Sequence, residues 1–190
     1  MIVAFSTSSP QTSVALISSE GKVVAARDTH APMQASAACM RLLQELLEES
    51  GSDLKSVTLF AADLGPGSFT GVKVAVTIAK TMAFAGGVKV IGADSFDLID
   101  PDGTVVMPSK RGEWFVRRPG MEAIRQELLP SEPYSGFGPG IEPPQYPLAS
   151  AFAQLLDKLT PMEPELLVPN YLIEPSISVP KTPYAERHGV

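Results

Sequence analysis

The sequence is short of the residues on which much enzyme chemistry depends. Its 190 residues include one cysteine and two histidines. The lone thiol, Cys39, excludes an internal disulfide and fits a reducing compartment. His30 and His188 stand far apart, and no HExxH, HxxxH or CxxC spacing occurs, which argues against a dedicated transition-metal site. Fifteen basic residues face 21 acidic ones, for a net charge of -6, and no basic run or stripe is present. Nucleic-acid affinity comes largely from phosphate contacts, so strong direct binding is not expected. The most apolar long stretch, 71–93, is broken by Lys73, Lys80 and Lys89, against a membrane span. The opening Met1-Ile2-Val3-Ala4-Phe5 lacks a basic n-region and passes at once to Ser and Thr, so no signal peptide is expected. A soluble cytoplasmic protein is the expectation.

Proline is scarce in one half and abundant in the other. Residues 1–100 hold only Pro10, Pro32 and Pro66, whereas the other 15 of the 18 follow. A division near residue 100 is therefore expected: a regular lobe over 1–100, and a reduced, proline-rich second lobe and tail over 101–190. Apolar residues at 44% and charged residues at 19% suit a globular chain.

In the first half, Ile2–Phe5, Thr12–Ile17 and Val23–Ala26 read as three strands, with Glu20-Gly21 as a tight turn. Residues 35–50 read as a helix stopped by Gly51. Its apolar face of Met40, Leu43 and Leu47 is widened by Cys39, Leu42 and Leu46. Val57–Ala62 is a fourth strand and Val88–Gly92 a fifth. Between them lie the loop Gly65-Pro66-Gly67-Ser68-Phe69-Thr70-Gly71 and a helix over 71–85. That order implies a mixed sheet flanked by helices, with a right-handed crossover from 57 to 92. The second helix has a polar stripe of only Lys73, Thr77, Lys80 and Thr81, with Phe84 inside it. Either it is sandwiched in its own core, or an apolar flank meets another protein. Beyond residue 100, Thr104–Met107 and Glu113–Val116 read as paired strands around Lys110-Arg111-Gly112, and Ala149–Leu159 as a helix. The six prolines within 130–147 predict irregular chain.

The 65–71 loop lies between a strand and a helix N-terminus. Free N–H groups, the helix dipole and flexible glycines there could face an anion. It matches neither the P-loop, the GxGxxG fingerprint nor the GxSxG elbow, and a structural turn is the alternative. Asp63 is expected to cap or orient the loop. Ser68, His30 and Asp63 could be assembled into a Ser/His/Asp set, but with so many serines that set carries no weight.

Two runs carry a family signature. The first is Ala62-Asp63-Leu64-Gly65-Pro66-Gly67-Ser68-Phe69-Thr70-Gly71-Val72-Lys73; the second is Ala79-Lys80-Thr81-Met82-Ala83-Phe84 followed by Val90-Ile91-Gly92. Together with the opening Ile2–Ser8 and with Pro169-Asn170-Tyr171-Leu172, they resemble the TsaB (YeaZ) family, historically labelled glycoprotease or peptidase M22-like. The resemblance covers residues 1–100 and is patchy beyond. It implies an α/β actin-like fold (ASKHA, ribonuclease H-like) of two lobes, here with the second reduced. It implies a non-catalytic subunit supporting threonylcarbamoyladenosine formation at position 37 of tRNA. The implied partners are a TsaD-like catalytic subunit and a TsaE-like ATPase, with a homodimer when alone, through helices of the first lobe. The residues expected at that interface are Cys39, Leu42, Leu46, Val74, Ile78, Met82, Phe84 and Ala85. ATP or ADP with Mg at a partner interface is a further expectation, with no catalytic residue and no metal site in the chain itself. The resemblance departs at Ser6, where the family's first strand usually ends in Asp, at Pro108–Glu113, where an Asp is replaced, and at Ile173, where an Arg is usual. Two other functions stay open: a nucleotide-binding actin-like ATPase or small kinase, and a homodimeric scaffold outside the tRNA pathway.

Overall fold

The structure, a computed structural model, describes residues 1–110 and 112–172. The expectations placed on Arg111, Ile173, His188 and the prolines of the tail lie outside the described residues. The chain opens as a meander of three strands, β1 (Ile2–Ser6), β2 (Gln11–Ile17) and β3 (Val23–His30). It continues through α1 (Ala35–Ser50), β4 (Leu59–Asp63), α2 (Phe69–Gly86), β5 (Lys89–Ala93) and the short α3 (Ser95–Ile99). The first sheet has the order β3-β2-β1-β4-β5. β1 and β2 pair antiparallel, with Phe5 opposite Val14, while β4 lies parallel to both β1 and β5. A mixed sheet is the expected outcome of a meander followed by strand–helix–strand crossovers.

Strand alternation divides the core into two layers. Val3, Phe5, Val14, Leu16, Phe60 and Val90 point to one face, where α1 and α2 cover them. Ile2, Ala4, Ala15, Ile17, Ala61 and Ile91 point to the other. That back face is covered by chain far along the sequence: Ala149, Phe152 and Leu155 sit on it, all buried. The helix expected over Ala149–Leu159 is instead two 3-10 turns, Ala149–Gln154 and Leu156–Lys158. Ala149, Phe152 and Leu155 are three apart, so the 3-10 turns set all three on the side facing the sheet.

The second sheet has the order β8-β7-β6-β9, from β6 (Val105–Pro108), β7 (Trp114–Arg117), β8 (Ile124–Gln126) and β9 (Ser135–Gly136). β6 and β7 pair as a hairpin with Val106 opposite Val116. Trp114 packs beside Val106, Val116 and Ile141. The proline-rich stretch supplies only the two-residue β9, and Glu142–Pro143 is cis, as is Gly65–Pro66. From Ala149 the chain returns to the first sheet, so the first lobe's core is not confined to residues 1–100. Farther on, Met162 exchanges backbone hydrogen bonds with Val90. Lys80 donates to the carbonyl oxygens of Glu165 and Leu167. Asn170 N–H bonds the Leu64 carbonyl, so the last described segment straps the flank of α2.

Candidate functional site

The site lies at the end of the first sheet where β1 and β4 finish. Ser68 caps α2, its hydroxyl accepting from Gly71 N–H at 3.2 Å, which extends the helix two residues ahead of the expected start. The Gly65–Gly71 loop presses on the β1–β2 turn. A Cβ on Gly67 would lie 2.8 Å from Ser8 Cβ and overlap the Ser8 carbonyl oxygen; one on Gly71 would overlap the Thr7 carbonyl oxygen. Ser68 N–H donates to Ser8 O at 2.7 Å. The buried Thr7 hydroxyl donates to Gly71 O at 2.6 Å and accepts from Ala75 N–H at 3.1 Å, bridging one turn of α2. These two glycines thus let one backbone approach another.

Asp63 organises the same corner. It is completely buried. Its carboxyl meets the hydroxyls of Ser6, Ser8 and Ser95 at 2.7, 2.5 and 2.6 Å, and accepts from Gly65 N–H at 2.9 Å. Burial raises its pKa, and those hydrogen bonds oppose the rise only in part. The role read from sequence, orienting the loop, corresponds to the Gly65 contact. Ser6 and Ser8 stand two apart at the end of β1 and both meet Oδ2, whereas Ser95 comes from the start of α3 and no local spacing links it to them. The Ser68–His30–Asp63 set does not form: His30 is exposed at the end of β3, Ser68 caps α2, and Asp63 is enclosed by other serines.

Beside the loop is a cavity of about 470 Å³ between the two lobes. Its floor is Thr7, Ser8, Gly67, Ser68, Thr70 and Gly71; Pro32, Met33, Ser36 and Val74 form one wall, and Pro108, Ser109 and Phe137 the other. No charged side chain lines it. Met33, at its rim, is fully exposed with a φ of 65°. Among the described residues no cluster of three or more His, Cys, Asp or Glu is placed to hold a metal.

The expected interface residues divide. Cys39, Leu42 and Leu46 are buried under α1 in the core of the first sheet. Their place as a partner surface is corrected, because the wide apolar arc of α1 is spent on its own sheet. Burial also pushes the Cys39 thiol up to about 12. On α2, Phe84 is 73% exposed, Ala85 is exposed, and Val74, Ile78 and Met82 are half-buried. Phe69 packs on Tyr171 at a tilt of 38° with centroids 5.0 Å apart, and the Lys73 ammonium lies 3.9 Å above the Phe69 ring.

The first sheet, ordered β3-β2-β1-β4-β5 with α1 and α2 on one face, belongs to an actin-like fold. Two Pseudomonas aeruginosa structures share it. One is YeaZ, with a TM-score of 0.72 and 20% identity, covering 90% of this chain and 99% of that one. The other is a protein described as uncharacterized with similarity to peptidase YEAZ, with a TM-score of 0.77, 18% identity and the same coverage. Such identities establish the fold alone. The model of the family TsaD: tRNA N6-adenosine threonylcarbamoyltransferase matches residues 29–99, from the end of β3 through α3. No curated protein matches the chain. The family-model match takes in 71 of the chain's 190 residues. No helix among the described residues is long and apolar enough to cross a membrane.

Proposed function

We propose that this chain is a non-catalytic, TsaB-like subunit that supports threonylcarbamoyl transfer to adenosine 37 of tRNA by docking a TsaD-like catalytic subunit. The observation carrying this reading is the outward face of α2. Phe84 stands exposed there among Lys73, Thr77 and Thr81, and along one flank Ala85 is exposed with Val74, Ile78 and Met82 half-buried. The helix has no acidic residue, and Lys80 is engaged by the strap. A nearly uncharged, partly apolar helix face is the kind of surface a protein partner covers. The same face would serve a homodimer when the chain is alone, and a TsaE-like ATPase is the further partner on this reading.

The cavity at the loop supports an accessory rather than a catalytic role. Its lining offers a phosphate no lysine or arginine and a magnesium ion no carboxylate. ATP or ADP with Mg does not fit these residues alone. A nucleotide at a partner interface would take its charged contacts from the partner.

Co-expression with the TsaD-like protein of the same organism, followed by gel filtration, tests the proposal. A complex is expected, lost with Val74→Asp and weakened by about 1–3 kcal/mol with Phe84→Ala, as for a typical interface anchor. No complex, or one indifferent to both changes, refutes the docking role. A stable homodimer without a complex would leave the scaffold reading.

A further inference from the structure

The oxygen atoms around Asp63 outnumber the hydrogens available to join them. Ser6 Oγ lies 2.7 Å from Asp63 Oδ2 and also 2.7 Å from the carbonyl oxygen of Pro147. Ser8 Oγ is 2.5 Å from Oδ2, Ser95 Oγ is 2.6 Å from Oδ1, and the two serine oxygens are 2.9 Å apart. These five contacts have three hydroxyl hydrogens between them, so two go without; a fourth hydrogen on Asp63 relieves one, and the longest contact, Ser8 to Ser95, is left over. A carbonyl only accepts, and a hydroxyl has one hydrogen to give. With a carboxylate at 63, Ser6 can satisfy Asp63 or Pro147, and the other contact is two bare oxygens pressed to hydrogen-bond distance.

We propose that Asp63 is held as a neutral carboxylic acid in the folded protein and donates its proton to Ser6, leaving the Ser6 hydroxyl free to bind the Pro147 carbonyl. That proton fastens β1 to the chain returning from the second lobe, immediately before the turns that cover the back of the first sheet. The surroundings favour the neutral form. Asp63 is fully buried and, among the described residues, no lysine, arginine or histidine pairs with it. The charged groups facing this corner come from the β5–α3 turn and its neighbours. Asp94 is itself raised by burial and bonded by Asn170, Asp97 adds negative charge, and Arg117 pairs with Asp97. β1, the β1–β2 turn and the Gly65 loop present only hydroxyl and backbone groups.

The sign of the pH dependence follows. The folded-state value lies above the ordinary 3.8, so between the two the folded protein holds one more proton than the unfolded chain. Stability is fully present below the ordinary carboxyl value. It falls as pH rises toward the folded value, by about tenfold in the unfolding equilibrium per pH unit within that window.

Asp63→Asn is the decisive variant. The amide places two N–H donors where Oδ2 meets Ser6 and Ser8, and its oxygen still accepts from Ser95 and Gly65. Chemical denaturation of wild type and variant over acidic to mildly alkaline pH is expected to show the variant at least as stable at neutral pH and lacking this component of the slope. Infrared spectra of the folded wild type at neutral pH should show the C=O stretch of a neutral carboxylic acid, absent in Asp63→Asn and retained in Asp94→Asn. A wild type without that band, a band lost with Asp94→Asn, or an Asp63→Asn protein that is unfolded or keeps the wild-type slope would each overturn the proposal.

Discussion

Replacing Gly71 by alanine tests the packing of the loop against the β1–β2 turn. Gly71 is the third residue of α2, where alanine alone would favour the helix by about 1 kcal/mol. Its added methyl would overlap the Thr7 carbonyl oxygen and lie 3.0 Å from the carbonyl carbon. To relieve this, the turn has to withdraw from the loop, and three hydrogen bonds are then at risk. They are Thr7 Oγ1 to Gly71 O at 2.6 Å, Ala75 N to Thr7 Oγ1 at 3.1 Å and Ser68 N to Ser8 O at 2.7 Å. At about 1 kcal/mol net each, their loss costs roughly 3 kcal/mol. Less the helix gain, the expected destabilisation is about 2 kcal/mol, roughly thirtyfold in the unfolding equilibrium. Urea denaturation provides the assay, with Gly86→Ala as its control. Gly86 ends the same helix, and a Cβ there meets only Val88 at 3.8 Å, so that change should be neutral or stabilising. If Gly71→Ala behaves like the control, the close contact of loop and turn does not hold the fold as argued.

Other outcomes are equally specific. Cys39, with its thiol pushed up to about 12, should resist aromatic disulfide reagents in the native protein and react when urea unfolds it; fast native labelling would contradict its burial. Phe152→Ala empties a fully buried position on the back of the first sheet, and should cost about 3–5 kcal/mol by denaturant titration. A change under 1 kcal/mol would show that the returning chain is not part of the core. Arg117 holds Asp97 at 3.0 Å and the carbonyl oxygens of Asp100 and Pro101. Arg117→Ala should therefore destabilise by about 2 kcal/mol, with Arg117→Lys recovering little of it because one ammonium cannot reproduce the guanidinium fork. Full recovery by lysine would show that charge alone matters.

The parts of the fold that sequence made legible are those governed by local rules. Helix α1 matches its expected span because its apolar period and the αL cap at Gly51 are both local. The hairpin of β6 and β7 follows from two short apolar runs around a glycine-bearing turn. Helix α2 starts earlier than expected because Ser68, not the glycine, sets its first turn. In 149–158 the apolar positions fall three apart, a spacing that an α-helix and a 3-10 turn both present on one face, so the local pattern does not separate them. Short elements such as α3, β8 and β9 had no period to read. In the site, the contact of Asp63 with Gly65 was within local reach, but the gathering of Ser6, Ser8 and Ser95 around it depends on three segments meeting in space. The apolar faces of both helices were visible. Which of them the sheet would consume depended on β2 lying under α1, and that long-range pairing is not written in either helix.

The two margins of the first sheet are unequal. Beside β5, Met162 already occupies the backbone groups of Val90, so that margin is partly closed to any incoming strand. β3 forms the other margin, and most of its residues are exposed, including Val23 and Val24. Its far end carries Arg27, which pairs with Glu49 of α1, and Asp28, which accepts from Gln11. Among the described residues, a strand seeking to extend the sheet would meet edge peptide groups beside the valines, and charged side chains as it advanced. Strand addition is thereby easier beside the valines of β3 than beside β5, and is opposed toward His30.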